Sequence, residues 1–144
     1  MTEPLQTGAI LGILGGGQLG RMLSVAASRL GFRVHIFEPG AAPPAGDVAY
    51  KVTTAAYDDV EALTAFAQSV DVVTYEFENI PTAALDIIEK ITPIRPGREA
   101  LRISQDRLTE KTFLQGLGLK TASFADVSDD ETMASALASI GTPS

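Results

Sequence analysis

Three stretches of the sequence hold residue types and spacings that could do chemistry. Gly15-Gly16-Gly17-Gln18-Leu19-Gly20 fits the pattern G-x-G-x-x-G. In that pattern the first glycine allows a tight turn, the second admits a ligand close to the backbone, and the third packs a helix on a strand. Unpaired N–H groups at a helix start, together with the positive end of the helix dipole, attract an anion. The plainer alternative is a tight βα turn that binds nothing. Arg21 follows at the helix entrance, where a guanidinium could pair with a phosphate monoester or stand as a solvated charge on the helix face.

Glu38 lies 18 residues after Gly20 at the end of a predicted strand. An acid there takes ribose hydroxyls in a dinucleotide-binding fold, so Glu38 and the glycine pattern, taken alone, point to NAD. The third stretch is Thr74-Tyr75-Glu76-Phe77-Glu78-Asn79. Period-two alternation sends Glu76 and Glu78 to one face and Tyr75 and Phe77 to the other. Ligands of open α/β sheets bind outside the carboxyl ends of the strands, where a carboxylate can accept hydrogen bonds from sugar hydroxyls or an amine. Two solvated loop acids are the alternative. His35 falls mid-strand and reads as structural.

The elements that must position these residues follow from hydrophobic periodicity. Residues 8–14 form an apolar run ending in the glycine cluster, which reads as a buried parallel strand. Leu19, Met22, Leu23, Ala26, Ala27 and Leu30 then fall at helical spacing, and Gly31 closes the helix. Further strands are expected at 33–37, 48–52 and 71–75, with an edge strand at 91–94. Further helices are expected to about Ser69, behind Asp58 and Glu61 at capping-box spacing, and from Pro81 to about Lys90. Strands alternating with helices at this spacing predict an α/β fold with a Rossmann-like, doubly wound parallel sheet.

After Gly97 the pattern changes. Helices are expected at 98–104 and 107–117, a strand at 121–127, and a last helix introduced by Ser128 and Glu131 and ended by Gly141. The expected organisation is a Rossmann-like domain over 1–97, followed by linker helices and the truncated beginning of a second domain over 98–144.

Composition narrows the function classes. Of 144 residues, 45% are hydrophobic and 20% charged, which is a globular balance. The formal net charge of −7 argues against general binding to nucleic acid or anionic lipid. No cysteine is present, which excludes disulfides, thiolate nucleophiles and zinc–thiolate sites, and the single His35 excludes clusters of histidine ligands. No apolar run approaches the roughly 20 residues that span a bilayer, and Met1-Thr2-Glu3-Pro4 has no basic leader region, so a cytoplasmic protein without membrane partners is expected.

Residues 15–22, residues 71–79 and the run Gln105-Asp106-Arg107-Leu108-Thr109-Glu110-Lys111 occur in one order. Together they resemble the N5-carboxyaminoimidazole ribonucleotide synthetase family of the ATP-grasp superfamily, over nearly the whole chain. The resemblance implies a pre-ATP-grasp domain followed by the start of an ATP-grasp domain. It implies a carboxylating ligase of purine biosynthesis. ATP and bicarbonate would form carboxyphosphate, which carboxylates the exocyclic amine of 5-aminoimidazole ribonucleotide. Gly15, Gly16, Gly17, Gln18 and Leu19 would face the ribonucleotide, Glu76 would hold its ribose or amine, and Arg107 would contact ATP phosphates. No catalytic or metal-ligating residue is assigned within the chain; the family's Mg2+ ligands and adenine pocket would lie beyond Ser144. A homodimer is implied for the full-length enzyme, and no activity for the 144 residues alone. The run 105–111 has no role in a dinucleotide fold, which weighs against the alternative of an NAD-binding dehydrogenase domain.

Overall fold

The computed structural model describes residues 4–141. The chain divides into two compact units, Met1–Arg102 and Ile103–Ser144.

The first unit is built on a four-stranded parallel sheet of order β3-β2-β1-β4, with β1 at Ile10–Leu14, β2 at Arg33–Phe37, β3 at Lys51–Thr53 and β4 at Val72–Tyr75. β1 is paired on both sides, Gly12 facing both His35 and Val73, as its unbroken apolar run requires. Alternation along β1 and β2 divides the core. Ile13, Val34 and Ile36 pack on one face with Ala27 and Ala45. Leu14 and Phe37 pack on the other with Leu63, Phe66, Leu85 and Ile88. The second cluster receives α2 (Val60–Gln68) and α3 (Thr82–Ile88), and the first receives α1 (Gln18–Arg29). The sheet is therefore wound on both faces, as the sequence predicts. Each buried Leu, Ile or Phe contributes about 1.5–3 kcal/mol, so the larger cluster holds most of the apolar driving force.

α1 forms where expected, but the face it buries is not its large apolar stripe. Gly20, Ser24 and Ala27 are buried, whereas Leu19, Met22, Leu23 and Leu30 are exposed. The helix lies so close to the sheet that only small side chains fit beneath it. Ser24 satisfies its buried hydroxyl by donating to the Gly20 carbonyl at 2.7 Å.

Other expectations shift for local reasons. Asp59, not Asp58, caps α2, accepting from Ala62 N–H at 2.9 Å, because the helix starts one residue later. The third strand occupies residues 51–53, since Pro44–Asp47 takes a 3-10 turn and delays it. The expected edge strand reduces to one bridge between Val73 and Ile94. Pro93 accepts from Val73 N–H but has no N–H to extend a ladder.

In the second unit, α5 spans Arg107–Gly116 and α6 spans Asp130–Ile140, while α4 (Arg98–Ser104) leads in from the first and buries Leu101 in the larger core. Residues 121–127 form no strand; no described segment pairs with them. The capping box at α6 is Asp129 with Thr132, not Ser128 with Glu131, because the helix begins at Asp130. Among the described residues of this unit only Ala136 is a buried apolar residue, and Phe113, Leu117, Met133 and Leu137 are exposed. Thr142, Pro143 and Ser144, the last residues of the expected second domain, lie outside the described residues.

Candidate functional site

The chain leaves β1 toward β2 on one side, and enters β4 on the other. This strand-order switch leaves a crevice at the carboxyl ends of β1 and β4, the place where open α/β sheets take ligands. Gly15 makes the turn out of β1 at φ +104°, a conformation that favours glycine. A Cβ at Gly20 would lie 2.7 Å from the Gly15 carbonyl oxygen, so the third glycine serves the close packing the motif predicts.

The backbone opening at Gly17 is filled by the protein itself. Glu76 continues the β4 ladder by one residue, its N–H donating to Leu14 at 3.2 Å. Its carboxylate accepts from Gly17 N–H at 2.8 Å and from Gly20 N–H. The anion at the start of α1 is thus the chain's own Glu76, stabilised by charge-assisted bonds and the helix dipole. Glu78, expected on the same face, is exposed.

Glu38 does the same for the loop after β2. Its carboxylate accepts from Gly16 N–H at 2.7 Å and from Gly40 N–H at 2.9 Å. A cleft of about 340 Å³ opens between the two acids, lined by Gly16, Gly17, Glu38, Pro43, Glu76 and Phe77 among others, with no Lys or Arg among the described residues of its wall. Gln18 and Leu19 are exposed on the first turn of α1. Arg21 is engaged elsewhere: its guanidinium donates to the Pro44 carbonyl at 2.9 Å and to Asp47 at 2.6 Å, fixing the 3-10 turn.

Tyr57 had no motif to mark it. Its ring stacks on Phe37 with centroids 5.6 Å apart, and its hydroxyl is buried without a hydrogen-bond partner. Burial first, then the charges of Glu38 and Glu76, raise its pKa, so the phenol keeps its proton. His35 is structural, as read from the sequence. Its ring nitrogens lie 2.8 Å from the hydroxyls of Ser69 and Thr53, and burial, reinforced by Lys51, lowers its pKa from 6.5 to about 4.

In the second unit, Arg107 opens α5 behind the Asp106 cap, which accepts from Thr109 N–H at 2.7 Å. Its exposed guanidinium pairs with Glu110. The Lys111 ammonium stands 5.1 Å from the centre of the Phe124 ring. Among the described residues no group of three or more His, Asp or Glu side chains could hold a metal ion.

Residues 9–105, which include the glycine loop, Glu38, Tyr57 and Glu76, match the ribonucleotide synthetase preATP-grasp domain. The chain belongs to this preATP-grasp family. It is 49% identical over 137 residues to the N5-carboxyaminoimidazole ribonucleotide synthase of Brucella melitensis, covering 95% of this chain and 38% of that relative. Among solved structures, the Staphylococcus aureus N5-carboxyaminoimidazole synthetase complexed with ADP superimposes with TM-score 0.84 at 39% identity, over 93% of this chain and 36% of that one. The Aspergillus clavatus N5-carboxyaminoimidazole synthase, solved with ADP and 5-aminoimidazole ribonucleotide, superimposes with TM-score 0.83 at 30% identity, over 95% of this chain and 37% of that one. The resemblance carried by the three motifs is therefore borne out. This preATP-grasp chain spans a little over a third of the length of these relatives.

Proposed function

We propose that this chain forms the ribonucleotide-facing part of an ATP-dependent ligase that carboxylates 5-aminoimidazole ribonucleotide to N5-carboxyaminoimidazole ribonucleotide. The observation that carries the reading is the Glu76 carboxylate, fixed by Gly17 and Gly20 at the mouth of the cleft, in a chain 49% identical to such a synthase. The full-length relative from Aspergillus clavatus was solved with ADP and the aminoimidazole ribonucleotide, which supports the same ligands here.

In this reading ATP phosphorylates bicarbonate, and the exocyclic amine attacks the carboxyphosphate carbon and expels phosphate. Glu76 accepts a hydrogen bond from the amine, orients it, and stands within reach of the proton released as the C–N bond forms. Gly16 and Gly17 line the cleft in which the ribonucleotide lies, Gly15 makes the turn behind them, and Gln18 and Leu19 flank it from the first turn of α1. The ribonucleotide phosphate points away from the cleft, because two carboxylates and, among the described residues, no cation line it. Arg107 extends toward ATP phosphates from the second unit, the start of the ATP-grasp domain, while residues up to about 97 make the domain before it. Mg2+ accompanies ATP, and no described cluster fits it, so its ligands are assigned to none of these residues. Its proposed substrates, two phosphorylated metabolites and bicarbonate, are water-soluble, which supports a cytoplasmic enzyme. The exposed stripe Met22, Leu23 and Leu30 on α1 supports a homodimer.

The test is phosphate release by the full-length protein with ATP, bicarbonate and the aminoimidazole ribonucleotide. Release that requires all three supports the assignment; release indifferent to the ribonucleotide refutes it. An NAD site is disfavoured, because a pyrophosphate at this loop would have to displace Glu76 from Gly17 and Gly20.

A further inference from the structure

We propose that Glu38 recognises the ribose hydroxyls of the bound ribonucleotide, with the buried Tyr57 hydroxyl as the donor that positions its carboxylate. This rests on the ribonucleotide reading above and adds a specificity-determining pair to it.

Three features lead there. First, Glu38 lines the same cleft as Glu76 but approaches it from β2, so the two acids meet different parts of one ligand. Second, Glu38 is held rigidly. Gly16 and Gly40 donate to its two oxygens, and a Cβ at Gly16 would lie 3.1 Å from the Glu38 side chain and 2.6 Å from Pro43. A carboxylate offers about four acceptor positions, and these bonds use two, leaving acceptors for donors in the cleft. With a second acid and no cation among the described residues of the wall, an anion is disfavoured there, and the neutral hydroxyls of the ribonucleotide are the donors it can offer. A vicinal diol supplies two such donors.

Third, Tyr57 has an unused O–H. A buried donor without an acceptor is destabilising and asks for an explanation. Its ring is fixed by stacking on Phe37, the residue before Glu38, so the phenol stands beside the strand end that carries this acid. Glu38 is the carboxylate with the larger effect on it, and Glu76 the smaller. In the ribonucleotide complex this free O–H is the donor to the Glu38 carboxylate.

The experiment compares kcat/KM of the full-length enzyme for 5-aminoimidazole ribonucleotide with that for its 2′-deoxy and 3′-deoxy analogues. Wild type should prefer the parent by about 10- to 100-fold, the range for a hydrogen bond to a charged group. In Glu38→Gln the preference should shrink to a few-fold through loss of parent activity, mainly in KM. In Tyr57→Phe, which keeps the stacked ring, it should shrink by about threefold, with no fall in Tm, since the orphaned hydroxyl is gone. A merely structural role would lower Tm and leave the preference intact. If Glu38→Gln fails to fold, the Tyr57→Phe preference decides. Wild-type turnover with a preference unchanged in the variants overturns the Glu38 assignment alone. No wild-type turnover of the parent overturns the ribonucleotide reading and this inference with it.

Discussion

Glu76 occupies, at rest, the position an anionic ligand takes at other glycine-loop sites. Its location at the end of β4 was legible in the sequence, because period-two alternation and the open-sheet rule place an acid there. Its bond to Gly17 was not, since it joins residues 59 apart and depends on how closely α1 meets the sheet. In the full-length enzyme, Glu76→Ala should reduce use of the aminoimidazole ribonucleotide by about 1.5–3 kcal/mol while leaving ATP binding nearly intact, whereas Glu78→Ala should change little. Steady-state kinetics showing small, equal effects of both would remove Glu76 from the site. His35 makes a second prediction of a different kind. Its folded pKa of about 4 lies below the ordinary 6.5, so the native state favours the neutral ring. The stability this gives is complete above pH 6.5 and is lost as pH falls through about 4, up to about 3 kcal/mol in all. Urea titrations at several pH values should therefore show the gap between wild type and His35→Gln narrowing steadily between those limits.

α1 shows which part of an element periodicity can settle. The helical spacing of Leu19, Met22, Leu23, Ala26, Ala27 and Leu30, with Gly31 behind it, revealed the helix and its end, and the structure has both. It did not reveal which face is buried, because the sheet is approached through Gly20, Ser24 and Ala27, of which only Ala27 belongs to the apolar stripe. Two substitutions separate the faces. Gly20→Ala places a Cβ 2.7 Å from the Gly15 carbonyl oxygen and should cost about 1–3 kcal/mol, the range for overpacking. Met22→Gln, at a residue 65% exposed, should change the stability of the 144-residue chain by less than about 0.5 kcal/mol. In the full-length protein the same Met22→Gln should weaken self-association, measured by sedimentation equilibrium. A large loss of stability in the short chain would mean that the stripe is core after all. The strand expected at 121–127 failed for a related reason: residue types favour an extended chain, but only a neighbouring edge makes it a strand.

At the scale of the molecule, the two units differ in what they can sustain by themselves. Both apolar clusters, and all the residues that shape the cleft, fall within Met1–Arg102. Among the described residues, the second unit contributes a single buried apolar side chain, Ala136, and one candidate phosphate contact, Arg107. Phosphoryl transfer needs the triphosphate held between metal ions and cationic groups, since positioning and electrostatics supply nearly all of the acceleration. These residues offer no metal cluster, and Lys111 is already placed over Phe124. The 144-residue chain should accordingly release no phosphate from ATP, with or without bicarbonate and the ribonucleotide. It should still bind the ribonucleotide weakly, because Glu38, Glu76 and the glycine loop all lie within the first unit, and it should not bind NAD at micromolar concentrations, because Glu76 holds the loop. Calorimetry with each ligand and a phosphate-release assay on the same preparation check all three outcomes. Ribonucleotide-dependent phosphate release by this chain would place catalytic groups inside it that neither unit displays, and tight NAD binding would restore the dinucleotide reading of the glycine loop.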